Sequence, residues 1–246
     1  MMAAPFHLLG ERLMLDPAGV LAWPSRRLLA VADLHLEKGS HFARRGHFVP
    51  PYDTRETIAR LASALRRHAP KRLLLLGDSF HDAEGSARLS AEDRALLLHA
   101  LAGVEEVVWV LGNHDPTPPE GLPGVACDEF RDGPLRFRHE ADPALHGPGP
   151  RRPLHGEVSG HFHPKATMPT RAGGVCRPCF AADAHRLILP SFGAYTGGLN
   201  VCDPAIAGLF PRGGRAFLLG RDRVYAMPMA PVRRMARGEI DLTSVT

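Results

Sequence analysis

The sequence predicts an α/β protein, in which strands and helices alternate through the first half of the chain. Apolar runs of strand length recur at residues 28–32, 73–76, 107–111 and 187–189. Runs that are apolar without alternation are typical of strands covered on both faces. Amphipathic segments separate the first three runs, and this order indicates a layered βαβαβ fold.

Two helices are predicted between those strands. The first spans residues 54–68, and Asp53 with Glu56 three positions later resembles a capping box at its start. The second spans residues 90–101, with Ser90 as its N-cap. Both segments place apolar side chains at helical spacing, so we expect each helix to pack one face on the sheet.

The second half of the chain has shorter elements. Residues 116–134 and 141–154 are rich in Pro, Gly and Asp and predict long loops, while residues 216–227 predict a β-hairpin. No repeat and no clean boundary divides the chain. We therefore expect one domain over residues 1–235, followed by a polar C-terminal tail at 236–246.

The composition excludes several classes of protein. Of the 246 residues 44% are hydrophobic, which is enough to bury a core. No apolar stretch has the length of a membrane span, and the N-terminus lacks the pattern of a signal peptide. Four cysteines are too few to staple this chain, so we expect a reduced, cytoplasmic location. The net charge of +4 permits a nucleic-acid partner without requiring one.

Cys176 and Cys179 form a C-x-x-C pattern. A zinc ribbon would need a second such pair, and a thioredoxin-like motif would open a helix after a strand. Because neither context is present, a pair of ordinary thiols is the favoured interpretation.

Metal-ligand residue types follow the first three apolar runs and two further predicted strands, at residues 135–138 and 157–159. These are Asp33 and His35, Asp78, Asn113 with His114 and Asp115, His139, and His161 with His163. Sites in α/β sheets form at the carboxyl ends of strands, so we expect these side chains to converge on one edge. Taken singly, each histidine is more simply explained as a structural residue; the set points to a site.

The residue types also indicate the metal. Oxygen and imidazole donors without thiolates suit Mn²⁺, Fe or Zn²⁺ rather than Ca²⁺. Seven of these residues are candidate ligands: Asp33, His35, Asp78, Asn113, His139, His161 and His163. They exceed the need of one ion, so we expect two ions that share Asp78, whose carboxylate offers two oxygens. Paired ions about 3.5–4 Å apart clamp the oxygens of an in-line phosphoryl displacement and activate a bridging water as hydroxide.

In order, these segments resemble the blocks D-x-H, G-D, G-N-H-[DE], H and G-H-x-H of the calcineurin-like metallophosphoesterase superfamily. The resemblance implies a sandwich of two mixed β-sheets flanked by helices. It implies that His114 protonates the leaving oxygen or steadies the transition-state charge, with Asp115 orienting its ring. Two implied ligand sets follow: Asp33, His35, Asp78 and His163 for one ion, and Asp78, Asn113, His139 and His161 for the other.

A narrower resemblance is to the bacterial ligase-associated DNA damage response endonucleases, the PdeM family. It rests on residues 33–40, 45–46, 51–54, 77–82, 112–116, 137–140, 160–164 and 190–200. It implies a Mn²⁺-dependent phosphodiesterase and single-strand DNA endonuclease in DNA repair, associated with a DNA ligase, a helicase and an exonuclease. Ser191 departs from the family pattern, which often has alanine there.

Further residues are candidates for contact with the substrate or with the metal ligands. Lys38, Arg44, Arg45 and Tyr52 combine cations for phosphates with a ring for a stacked base, although a solvated loop is the alternative. His81, three residues after Asp78, is a similar candidate, with a structural polar contact as its alternative.

Other functions stay open at this point. A phosphatase, or a diesterase acting on cyclic nucleotides or RNA, would use the same metals. A non-catalytic binding scaffold of the same fold is disfavoured, because the full set of candidate ligands is present.

Overall fold

The structure is a computed structural model that describes residues 2–50, 52–145, 154–171 and 173–229. Strands in the first half are β1 (Ala4–Leu8), β2 (Glu11–Leu15), β3 (Leu21–Trp23), β4 (Leu28–Val31), β5 (Arg72–Leu76), β6 (Glu106–Val110) and β7 (Val125–Cys127). Later strands are β8 (Glu129–Asp132), β9 (Leu135–Arg138), β10 (Gly156–Ser159), β11 (Lys165–Thr170), β12 (Gly173–Ala182), β13 (Arg186–Ile188), β14 (Gly214–Leu219) and β15 (Val224–Met229).

The helices of the described residues are α1 (Lys38–Ala43), α2 (Asp53–His68), α3 (Gly85–Arg88), α4 (Ala91–Leu101) and α5 (Pro204–Ala207), with a 3-10 turn at Pro24–Arg26. The predicted helices correspond to α2 and α4. Within the described part of the chain, every helix is too short or too polar to cross a bilayer.

The strands form two mixed sheets, as expected. Over the described residues, the first has the order β1-β2-β3-β4-β5-β6-β7, in which β4 to β7 are parallel. The second has the order β15-β14-β12-β13-β10-β9-β8, with β11 paired to β12. In the second sheet β9, β10 and β13 are parallel, and the hairpin of β14 and β15 is the one predicted. Each sheet therefore contains a block of parallel strands.

The hydrophobic core lies between the two sheets, and a second apolar layer lies between the first sheet and its helices. Side chains buried between the sheets include Leu15, Trp23, Leu74, Phe137, Phe180 and Leu187. Ile58, Leu61 and Leu65 of α2 pack on the opposite face of the first sheet. Because β4, β5 and β6 are buried on both faces, their continuous apolar sequences are explained.

A buried ion pair underlies the centre of the second sheet. Glu157 on β10 and Arg186 on β13 are register partners, both fully buried, with Nε 2.8 Å from Oε1. Arg186 also donates to the carbonyl oxygens of Leu209, at 2.9 Å, and Asp142. Arg136 approaches Glu157 at 3.1 Å. These contacts compensate the buried charge of Glu157 on β10, the strand that leads to His161 and His163.

The two helix starts differ from each other. At α4, Oγ of Ser90 accepts a hydrogen bond from the N–H of Asp93 at 3.0 Å, so the predicted N-cap is confirmed. At α2 the predicted capping box is wrong, because Tyr52 is the N-cap residue and Asp53 lies in the first turn. The carboxylate of Asp53 instead accepts from the N–H of Gly39 at 3.0 Å and ties α1 to α2.

The predicted loop over residues 116–134 is partly wrong, because it contains β7 and β8. Each of these strands has three or four residues and completes the edge of one sheet. Strands this short show no sequence period. Of the predicted loop over 141–154, residues 146–153 lie outside the described residues, as does the predicted tail at 236–246.

The C-x-x-C pattern lies on strand β12. All four cysteines are free thiols. Alternation along a strand places residues three apart on opposite faces, and accordingly Cys176 is exposed while Cys179 is buried. This placement supports the interpretation of ordinary thiols.

Candidate metal centre

The predicted site residues follow the carboxyl ends of strands from both sheets. Asp33 and His35 follow β4, Asp78 follows β5, Asn113 to Asp115 follow β6, His139 follows β9, and His161 and His163 follow β10. Contacts join the two sheets at this edge: Nε2 of His139 lies 2.9 Å from Oδ1 of Asn113, and Nε2 of His163 lies 3.4 Å from Oδ1 of Asp33. The structure thus brings all seven candidate ligands together.

The first donor group consists of Asp33, His35 and His163, whose ligand atoms lie within 4.8 Å of one another. The Nε2 atoms of the two histidines are 3.2 Å apart. Asp33 and His35 are buried, whereas His163 is half-buried. Two ring nitrogens and a carboxylate oxygen at this spacing can share one cation.

The second donor group consists of Asp78, His139 and His161, also within 4.8 Å. Nε2 of His139 lies 3.4 Å from Oδ1 of Asp78 and 3.1 Å from Nδ1 of His161. Its other nitrogen, Nδ1, lies 3.1 Å from the carbonyl oxygen of Leu76, to which it can donate. Such a bond leaves a lone pair on Nε2 of His139, the nitrogen that faces Asp78, His161 and the side chain of Asn113.

Asp78 lies between the two groups. Its Oδ2 is 3.9 Å from Nε2 of His35, and its Oδ1 is 3.4 Å from Nε2 of His139. One carboxylate oxygen therefore faces each group. The N–H of His114 donates to Oδ1 at 3.0 Å and helps to fix the carboxylate.

Five of the candidate ligands have left-handed backbone conformations, with φ values of 55° for Asp33, 46° for His35, 47° for Asp78, 71° for His161 and 46° for His163. Residues with a side chain rarely adopt this region, which costs about 1–3 kcal/mol each. Backbone hydrogen bonds between neighbouring strand ends hold two of them. The N–H of Asp33 donates to the carbonyl oxygen of Gly77 at 3.2 Å, and the N–H of His35 donates to the carbonyl oxygen of Asp78 at 2.8 Å. Strain concentrated at one edge marks it as functional.

Burial controls the charge of the imidazoles. Burial and the neighbouring rings of His163 and His81 lower the pKa of His35 to about 2. Burial and His139 likewise lower the pKa of His161. These rings are therefore neutral near pH 7, and the neutral imidazole is the form that binds a metal.

The expectation that Asp115 orients the ring of His114 is wrong. Nδ1 of His114 lies 2.9 Å from the carbonyl oxygen of His81 instead. The carboxylate of Asp115 accepts from backbone N–H groups at 2.7–3.1 Å, those of Asp78, Ser79, Phe80 and Gly112. Burial raises the pKa of Asp115 to about 6, against the opposing effect of these bonds. Asp115 thus positions the loops that carry Asp78 and Asn113.

A row of imidazoles extends the site beyond the predicted ligands. Nδ1 of His81 lies 3.4 Å from Nδ1 of His35, and its ring stacks on His114 with centroids 5.3 Å apart. His41 also contacts His81, edge to face, at 4.8 Å between ring centroids, and its Nδ1 lies 2.5 Å from Oδ2 of Asp82. No sequence pattern marks His41, because only tertiary structure brings α1 against the loop after β5.

The other candidate substrate residues are Lys38, Arg45 and Tyr52, here termed the rim. Nζ of Lys38 donates to the carbonyl oxygen of Tyr195 at 2.8 Å. Arg45 is exposed and lines a cavity beside His41, while Tyr52 is 64% exposed at the start of α2. The described hydrogen bonds and ion pairs of these three residues do not involve the seven candidate ligands.

The donors fit a pair of divalent ions. Each group offers carboxylate oxygen and neutral imidazole nitrogen, and no thiolate among the described residues contributes to either. The facing ring nitrogens in each group leave lone pairs that a shared cation would satisfy.

Comparison with known proteins agrees with this geometry. The family model of the calcineurin-like phosphoesterases matches residues 26–165, more than half of the chain. The crystal structure of Pseudomonas putida nuclease MPE is similar, with a TM-score of 0.69 and 28% identity, over 92% of this chain and 100% of that one. No curated protein matches the chain significantly. The chain therefore belongs to the calcineurin-like phosphoesterase family and is a metal-dependent phosphoesterase.

Proposed function

We propose that this protein is a Mn²⁺-dependent phosphodiesterase that cuts single-stranded DNA internally, in DNA repair. One observation carries the proposal: Asp78 lies between the two donor groups, with one carboxylate oxygen near each. Paired metals of this kind suit hydrolysis of a phosphodiester. The 28% identity to a nuclease over 92% of the chain supports a nucleic acid as the substrate.

The chain's own residues would hold two ions and position the reacting groups. When bound, the ions would supply Lewis acidity at the phosphate and lower the pKa of a water molecule. Mn²⁺ suits the mixed oxygen and nitrogen donors, with Fe and Zn²⁺ as alternatives. The residues that would hold them are Asp33, His35 and His163 for one ion, Asn113, His139 and His161 for the other, and Asp78 for both.

His114 is the proposed proton donor to the leaving oxygen. Its Nδ1 is engaged by the carbonyl oxygen of His81 at 2.9 Å, and its side chain is 40% exposed. In the imidazolium form Nε2 also carries a proton, which a leaving oxygen can accept. Nε2 lies 4.0 Å from Oδ2 of Asp78, so the donated proton would lie beside the shared carboxylate.

The rim would hold the strand. Lys38 and Arg45 supply positive charge for phosphates, Tyr52 supplies a ring for a base, and His81 lies between the ligands and the rim. Cations interleaved with rings are what single-strand binding requires. We further propose that the enzyme works in association with a DNA ligase, a helicase and an exonuclease.

One experiment tests the proposal. Cleavage of single-stranded DNA, duplex DNA, RNA, a cyclic nucleotide and an aryl phosphomonoester is compared with Mn²⁺, Fe²⁺ or Zn²⁺ added, with His114→Ala as control. We expect metal-dependent internal cleavage of single-stranded DNA that falls steeply as salt rises. Hydrolysis of the monoester alone, or of cyclic nucleotides alone, would overturn the proposal in favour of a phosphatase or a cyclic-nucleotide diesterase.

A further inference from the structure

We propose that the cavity beside His41, here termed the side pocket, binds the next phosphate of the leaving strand. The inference rests on the proposed function and adds a direction to the substrate. The side pocket has a volume of about 420 Å³ and is lined by His41, Arg44, Arg45, Asp82, Ala83 and Glu84. Such a volume is in the range of small-ligand sites and accommodates a phosphate with its sugar.

The position of the side pocket links it to the leaving strand. The side pocket connects to the metal centre through the row of rings His41, His81 and His114, with centroid separations of 4.8 and 5.3 Å. The ring of His114 is the proposed proton donor to the leaving oxygen. The strand attached to that oxygen therefore continues from His114 over His81 into the side pocket.

The negative charge of Asp82 in the side pocket is already compensated by its neighbours. Arg88 holds both oxygens of Asp82, at 2.6 and 2.7 Å, and His41 holds Oδ2 at 2.5 Å. Burial alone would raise the pKa of Asp82, but the hydrogen bonds from Arg88 and His41 lower it below its ordinary value. A bidentate pair of this kind compensates the charge that would otherwise repel a phosphate.

Two guanidinium groups of the side pocket remain accessible to an anion. Arg44 pairs with Glu84 at 2.6 Å, but the side chains are 61% and 70% exposed, so the pair is weak. Arg45 is exposed, and its guanidinium has no ion pair with any described residue. A phosphate can therefore recruit both arginines, since it outcompetes a single exposed carboxylate.

The test uses a ten-nucleotide oligothymidylate in which one central linkage is an uncharged methylphosphonate. Cleavage at the two flanking linkages is compared with cleavage of the unmodified strand. We expect the linkage whose leaving strand carries the methylphosphonate to be cut about tenfold more slowly. The other flank should be cut as before, because its leaving strand runs away from the modified position.

Three variants connect the asymmetry to the side pocket. The double variant Arg44→Ala/Arg45→Ala should bring the ratio of the two flanks towards one. Glu84→Gln should increase the ratio, because it removes the carboxylate that competes for Arg44. Arg66→Ala, an exposed arginine on α2, is the matched control and should keep the wild-type ratio.

Two results would overturn the inference: equal cleavage of both flanks by the wild type, or an asymmetry that the double variant and Glu84→Gln leave unchanged. In either case cleavage of DNA would persist, so the proposed function would stand. If the unmodified strand is not cut with any metal, the proposed function fails and this inference fails with it.

Discussion

Replacing Gly77 with alanine should displace His139 and weaken the second donor group. Gly77 links β5 to Asp78 with φ of +73°, and a Cβ there would lie 2.2 Å from Nδ1 and 2.4 Å from Cγ of the imidazole ring. Rotation at Gly77 cannot readily relieve this overlap, because its carbonyl oxygen is bonded to the N–H of Asp33. The ring must therefore leave the carbonyl oxygen of Leu76.

The expected magnitude has two parts. A side chain in the left-handed region costs about 1–2 kcal/mol, and an added methyl group in a packed site costs about 1–3 kcal/mol. Together they predict a loss of about 2–5 kcal/mol in the free energy of unfolding, measured without metal. In a chain of this size each kcal/mol lowers Tm by about 2–4 °C.

Two controls separate the parts. Gly10 has φ of +87° and no described atom within 4 Å of the position that an alanine Cβ would take, so Gly10→Ala measures the backbone cost alone. Gly103 is outside the left-handed region and equally open among the described residues, so Gly103→Ala supplies the baseline. The assay is thermal unfolding of the metal-free protein, together with metal content per chain after loading and desalting.

We expect Gly77→Ala to lose more stability than Gly10→Ala and to retain about one ion rather than two. If both variants lose the same stability and Gly77→Ala still retains two ions, the close approach to His139 does not control the site. The reasoning from the Cβ position would then be refuted.

Three further predictions concern the shared ligand, the acid and the buried ion pair. Asp78→Ala should lose both ions, and retention of two per chain would disprove its bridging position. His114→Ala should keep both ions but cut DNA about 10²–10⁴-fold more slowly. The loss should be smaller on a nitrophenyl diester, because its leaving group needs no proton. An equal loss on both substrates would assign His114 to charge stabilisation instead of proton donation. Glu157→Gln should destabilise the fold by about 3–5 kcal/mol because Arg186 stays buried without its partner, and unchanged denaturant unfolding would contradict this.

The central sheet could be predicted because its strands carry their own signal. Each of the strands β4, β5 and β6 is a continuous apolar run covered on both faces, and an amphipathic helix follows the first of them. The edge strands β7 and β8 could not be predicted, since three or four residues show no period. They exist because a neighbouring strand already presents unpaired backbone groups.

The convergence of the candidate ligands could be predicted for a different reason. Their residue types follow strand ends, and the parallel strands of each sheet bring those ends to one edge of that sheet. No comparable rule predicts which partner a side chain at a strand end will bind. Asp115 follows His114 in sequence, yet four backbone N–H groups compete for its carboxylate and take it away from the ring. The same limit applies to His41, which meets His81 only through the packing of α1.

The strained backbone at the ligands explains why this site needs both sheets. Five left-handed residues would relax if their strand ends were free to move. They are held because each sheet fixes its own loops and the core between the sheets fixes one set against the other. Asp33 shows the arrangement in one residue: its N–H donates to Gly77 of the first sheet, while its carboxylate accepts from the N–H of His161 at 3.0–3.1 Å. A candidate metal ligand that follows the first sheet is thus positioned by backbone that follows the second. The packing of the two sheets therefore also fixes the geometry of the candidate metal centre.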